Sequence, residues 1–148
     1  MRHLSLRALH LPGRAPRAVR ERGGPAGPLV LIVGDGAAAL AALTARVEAA
    51  GYAVARADSA DASTSIARLR PAVVVLDAGH LTGARALAQV DALRAVVPCP
   101  LVVVLASGDD AAGPAILDAG ADDVVRSSMP VPELRARLRA HLRVRSRP

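Results

Sequence analysis

The sequence predicts an α/β fold: a doubly wound, five-stranded parallel sheet with helices on both faces. Three observations predict it. Short apolar runs recur across residues 29–143, separated by segments whose apolar residues repeat at helical spacing. The runs are continuous rather than alternating, the mark of strands buried on both faces. Strand and helix alternate strictly, which requires parallel strands joined by right-handed crossovers.

The elements follow in order. Residues 29–33, LVLIV, form the first strand. Leu40, Leu43 and Val47 then recur at helical spacing, and Gly51 ends that helix. Residues 52–57 are the second strand. Ile66 and Leu69 mark a short helix stopped by Pro71, whose ring and missing N–H forbid continuation. Residues 73–76 are the third strand, ending at Asp77. Residues 84–97 are helical and closed by Pro98 and Pro100, and 101–105 are the fourth strand. A short helix over 114–119 precedes Gly120, and Val124 and Val125 form the fifth strand. Val131, Leu134, Leu138 and Leu142 are the apolar stripe of the last helix. Ligands of such sheets lie beyond the carboxyl strand ends, where the strand order reverses. The polar residues at those ends are Asp35, Asp77, Ser107, Ser127 and Ser128.

Composition bounds the function. The 148 residues suit one domain, and 52% hydrophobic content is ample for a core. That core is aliphatic, because Tyr52 is the only aromatic residue. All 19 basic residues are Arg, a bias that reads as a GC-rich coding habit, and no lysine ammonium is available to any mechanism. The single cysteine, Cys99, excludes an internal disulfide and a cysteine-based zinc cluster, which fits a reducing cytoplasm. No apolar run approaches the ~20 residues that span a bilayer, so no membrane partner is expected. Residues 1–11 interleave leucines with Arg2, His3, Arg7 and His10, too interrupted for a secretory signal; an Arg-rich organelle-targeting peptide is the alternative.

Charge is segregated. Residues 1–28 carry six Arg and one Glu, and residues 133–148 the same. Residues 29–132 carry seven Arg against eleven acids. An acidic globule between basic ends does not point to nucleic-acid binding by the body, and single-strand recognition lacks stacking aromatics. The Pro and Gly content of 1–28 predicts a disordered basic arm. Residues 144–148 are read as a basic tail, giving a body at 29–143.

The motifs in that body resemble the receiver domain of bacterial two-component response regulators, with its flavodoxin-like fold, most closely in the winged-helix subclass. "LVLIVGDG" is similar to the family's first strand and acid turn, "GYAVARAD" to its second strand, and "RPAVVVLDAG" to its third strand with the phosphoacceptor. "CPLVVVLAS", "AGADDVV" and "PELRARLRAHLR" resemble the fourth strand, fifth strand and last helix. The resemblance implies a non-enzymatic phosphorelay module in transcriptional control, with Asp77 as acceptor and a histidine kinase as partner. It implies Mg²⁺ at Asp35 and Asp77, held weakly, because Gly34 stands where the family has its first acid and this ion tolerates few gaps. It aligns Leu105 with the switch hydroxyl, Val124 with the switch aromatic, Ser127 with the lysine and Ser128 with the following proline; Ser107 is a stand-in hydroxyl. With these clamps on the transferring phosphoryl group missing, the domain is expected to be atypical, switching weakly or independently of phosphorylation. In the winged-helix subclass, acids near the fifth strand pair with arginines of the last helix across a two-fold homodimer, and Asp123 and Arg137 match those positions. The chain stops at Pro148, where the family's linker would begin, so it is expected to be either a stand-alone receiver or one whose output or DNA-binding domain is absent from this chain.

Other readings compete. Gly34-x-Gly36-x-x-Ala39 satisfies a dinucleotide fingerprint, with Asp58 near a ribose-binding position, and predicts NAD affinity instead. Asp77 as a plain helix-capping acid is a second alternative. Asp122, Asp123, Arg135, Arg137 and Arg139 read as a solvated charged face, His80 as a surface-loop residue and Cys99 as structural. No Ser-His-Asp arrangement fits the topology.

Overall fold

The computed structural model describes residues 27–108 and 110–146. Strand β1 (Leu29–Val33) leads into helix α1 (Ala37–Ala49), and β2 (Ala53–Ala57) into α2 (Ala62–Leu69). Strand β3 (Val73–Asp77) leads into α3 (Gly83–Val96), and β4 (Leu101–Leu105) into α4 (Gly113–Asp118). Strand β5 (Asp123–Arg126) leads into α5 (Val131–Ser146). The sheet is five-stranded, ordered β2-β1-β3-β4-β5, and every pairing is parallel. This is the doubly wound sheet that the strand runs predict.

The two-residue period of the strands sorts the core into two layers. Leu31, Val33, Val74, Leu76, Val103 and Leu105 face α2, α3 and α4, where Ile66, Val90 and Ile116 meet them. Val30, Ile32, Val73, Val75, Val102 and Val104 face α1 and α5, where Val47 and Leu138 meet them. β1, β3 and β4 are buried throughout, as continuous apolar runs require.

Several boundaries differ from expectation. Tyr52 is not in β2: its N–H reaches back to the Val47 carbonyl while its ring enters the core on the α1 side. Asp77 belongs to β3, paired with Val104, and β5 extends one residue beyond Val124 and Val125 at each end. Helix α5 runs to Ser146, taking in part of the expected tail. Most of the expected N-terminal arm lies outside the described residues.

Arg94 on α3 holds the amino edge of the sheet. Its guanidinium donates to the carbonyls of Gly120 (2.9 Å), Val97 (2.8 Å) and Cys99 (2.8 Å), and to Asp122 Oδ2 (2.9 Å). Asp122 Oδ2 also accepts from the Leu101 N–H at 2.8 Å. Gly120 has φ of 119°, and a Cβ there would sit 2.8 Å from the Arg94 stem, so glycine is needed for both backbone and space.

Candidate functional site

The strand order reverses at β1: β2 lies on one side of it and β3 on the other. Asp35 follows β1 and Asp77 ends β3, so both acids stand at the carboxyl edge beside this switch point, where doubly wound sheets place ligands. Asp77 continues the parity of Val73 and Val75 and faces α1. It is 6% exposed, and its Oδ1 accepts from the Gly79 N–H at 3.2 Å. It lines a hollow of about 310 Å³ with Leu43 and Arg46 of α1, His80, Ala106 and Ser127. His80 is thus a wall of this hollow as well as an exposed loop residue.

Asp35 is oriented otherwise. Its Oδ1 accepts from the Ser59 N–H at 2.9 Å and its Oδ2 from the Ser59 hydroxyl at 2.8 Å. The Ser59 N–H, then its hydroxyl, hold the carboxyl below the usual carboxylate range; burial opposes them, and the neighbouring His80 and Arg85 contribute less. Asp35 borders a separate depression with Leu40, Arg56 and Asp58. Asp58 Oδ1 accepts from the Asp61 N–H at 2.8 Å, a turn-forming contact.

Gly34 separates the two acids. A Cβ at this position would lie 3.0 Å from Leu40 Cδ2 and 3.2 Å from Asp77 Cβ. A side chain here would be tight against Leu40 and Asp77, which would have to give by a few tenths of an ångström. Among the described residues no group of three or more His, Cys, Asp or Glu is placed to hold a metal. Of the two acids expected to hold Mg²⁺, Asp35 is engaged by Ser59 and borders a different depression from the one Asp77 lines.

Leu105, expected at the switch-hydroxyl position, does not line the hollow with Asp77. Strand alternation turns it to the opposite side of the sheet, into the core under α2–α4, and Ala106 is the residue after β4 that lines the hollow with Asp77. Val124 packs at the edge of that same opposite layer. Ser127 does line the hollow. Ser107 bonds Ser128 Oγ at 2.7 Å and lies 3.4 Å from Ser127 Oγ, so its hydroxyl joins the loop before α5.

Two residues at this edge escaped sequence reasoning. Ser59 partners Asp35 across 24 positions, and its place two residues past β2 was the available signal. Arg46 projects from α1 and donates from Nη1 to the Ser127 carbonyl, 81 positions away. It is half-buried, three residues after Leu43 and one before Val47, at the margin of the buried face of α1.

The charged residues near β5 are largely exposed, yet several are engaged in pairs. Asp122 is tied to Arg94 and Leu101. Asp123, 16% exposed at its side chain, accepts from Arg137 Nη1 at 3.1 and 3.2 Å and lies 3.1 Å from His141 Nε2. Arg135 donates to the Ala49 and Ala50 carbonyls at the end of α1. Cys99 is buried, and its carbonyl serves Arg94.

This fold and edge define a class: a doubly wound module with a buried acid ending its third strand, beside the switch point. Comparison with known proteins identifies which. The chain is 36% identical over 116 residues to the transcriptional regulatory protein KdpE of Mycobacterium tuberculosis, in both strains compared. That match covers 78% of this chain and 51% of the relative, so the chain spans about half the length of the curated relatives it matches. The activated receiver domain of Klebsiella pneumoniae RstA superposes with a TM-score of 0.67 at 28% identity, covering 78% of this chain and 98% of that one. The receiver domain of NtrX from Brucella abortus gives 0.66 at 22% identity, covering 77% and 98%, and supports the fold alone. No family model matches the chain. These likenesses identify the α/β body as a receiver domain, the signalling module of response regulators. Receiver domains generally bind Mg²⁺ at the phosphorylation site.

Proposed function

We propose that this receiver is atypical: its conformation is set by protein contacts or by a small ligand at the Asp77 hollow, more than by phosphorylation. The observation that carries this reading is the state of the two acid positions after β1. A Cβ at residue 34 would be tight against Leu40 and Asp77, and Ser59 holds Asp35. Phosphoryl transfer to a carboxylate depends on cations at the transferred oxygens. Here the lysine position is Ser127, the residue after β4 is Ala106, and Mg²⁺ is held weakly at best. Asp77 remains the acceptor position.

By its likeness to KdpE we place the module in transcriptional control, in the cytoplasm and in the winged-helix subclass; a histidine kinase is a partner for whatever phosphorylation Asp77 retains. No described helix is long and apolar enough to cross a membrane. Asp123 and Arg137, paired within one chain here, are the residues we assign to a two-fold contact between copies through β5 and α5. The test is incubation with acetyl phosphate and Mg²⁺ followed by intact-mass measurement. Little or no adduct is expected. A stoichiometric gain of one phosphoryl group, lost in Asp77→Asn, would overturn the reading.

A further inference from the structure

We propose that the hollow beside Asp77 binds a small zwitterion with an aliphatic body, its carboxylate on Arg46 and its ammonium on Asp77. This rests on reading the site as independent of phosphorylation, and it names the class of ligand.

The charges come first. Asp77 is more than nine-tenths buried, yet only its Oδ1 is bonded; Oδ2 accepts nothing from the described residues. Arg46 lines the same hollow. A guanidinium has five N–H donors, and among the described residues one of these is used, on the Ser127 carbonyl. No ion pair joins Arg46 to Asp77 among the described residues. An anion and a cation thus face one cavity without neutralising each other. A purely anionic ligand would meet the Asp77 carboxylate, and a purely cationic one the guanidinium. A ligand carrying both charges satisfies both walls, and each contact is a charge-assisted hydrogen bond.

Shape and lining set the rest. The apolar part of the wall includes Ala39, Ala42, Leu43 and Val104, which suits an unbranched or singly branched aliphatic body. The volume of about 310 Å³ is at the small end of ligand sites. The guanidinium that would take the ligand's carboxylate also holds the Ser127 carbonyl, so an occupant is felt in the loop leading into α5.

The test is calorimetric titration of the full chain with L-valine, L-leucine and 6-aminohexanoate, each beside its deaminated acid and its decarboxylated amine. At least one zwitterion should saturate in the millimolar range and bind about tenfold or more tighter than its acid or its amine, since each lost partner removes one charged hydrogen bond. Arg46→Gln and Asp77→Asn should each weaken it by a similar factor. Should either variant unfold, the matched acid and amine on the unaltered chain carry the test alone. No saturation by any of the three zwitterions, or an acid or amine binding as tightly as its parent, overturns the inference. Acetyl phosphate labelling of Asp77 would instead overturn the reading beneath it, and the two failures are read from separate experiments.

Discussion

Asp35 is held by Ser59 through both carboxylate oxygens, one on the backbone N–H and one on the hydroxyl. This places the acid toward the β2 end of the edge rather than toward Asp77. Because the native state favours ionised Asp35, its folded pKa lies below the ordinary 3.8. The stability it contributes is complete above the unfolded value and is lost as pH falls through the folded one. In a carbon-detected carboxyl titration, the Asp35 midpoint should fall below 3.8, and Ser59→Ala should move it upward. A midpoint at or above 3.8, unaffected by Ser59→Ala, would contradict this geometry.

Restoring the missing acid should be costly. Gly34→Asp puts a Cβ 3.0 Å from Leu40 and a second carboxylate beside buried Asp77. Chemical denaturation should show a loss of about 1–3 kcal/mol without divalent cation, as expected for overpacking. Adding Leu40→Ala removes the steric part, and the double variant should gain Mg²⁺ affinity over the native chain. Equal stability of Gly34→Asp and the native chain would show that the position is not closed.

Arg94 should tolerate no replacement by lysine. Its planar fork serves three carbonyls and Asp122 at once, and an ammonium cannot span them. Arg94→Lys should lower the unfolding free energy by about 2–3 kcal/mol, measured in urea. A loss within about 0.5 kcal/mol, the range of ordinary surface substitutions, would refute the latch.

Asp123 and Arg137 are neighbours within one chain, so a two-fold contact must exchange an existing pair for one across the interface. Arg137→Glu places like charges together in either arrangement. Dimers of the native chain in sedimentation should be absent from this variant; unchanged dimers would exclude the β5–α5 face.

The architecture was legible because residues 29–33, 73–76 and 101–105 are unbroken apolar runs that can only be buried on both faces. Gly51 and Pro71 marked helix ends correctly, through backbone constraints that act locally. What sequence did not show depends on direction and distance. Tyr52 is apolar enough for a strand, yet its N–H closes the preceding helix. Leu105 and Ala106 are adjacent, and only strand parity decides which faces Asp77. The partnerships of Asp35 with Ser59 and of Arg46 with Ser127 join residues far apart in the chain, where no local period reports them. Gly34 was visible as a missing acid; that a Cβ there would be tight against Leu40 and Asp77 was not.

The most direct test of the account is a Mg²⁺ titration of the isotopically labelled chain, following the amide and carboxyl resonances of Asp35 and Asp77. Small, unsaturated shifts through millimolar Mg²⁺ are predicted, because the donor set does not converge. Saturable shifts at both residues with a common midpoint would show a working metal site and contradict the atypical reading.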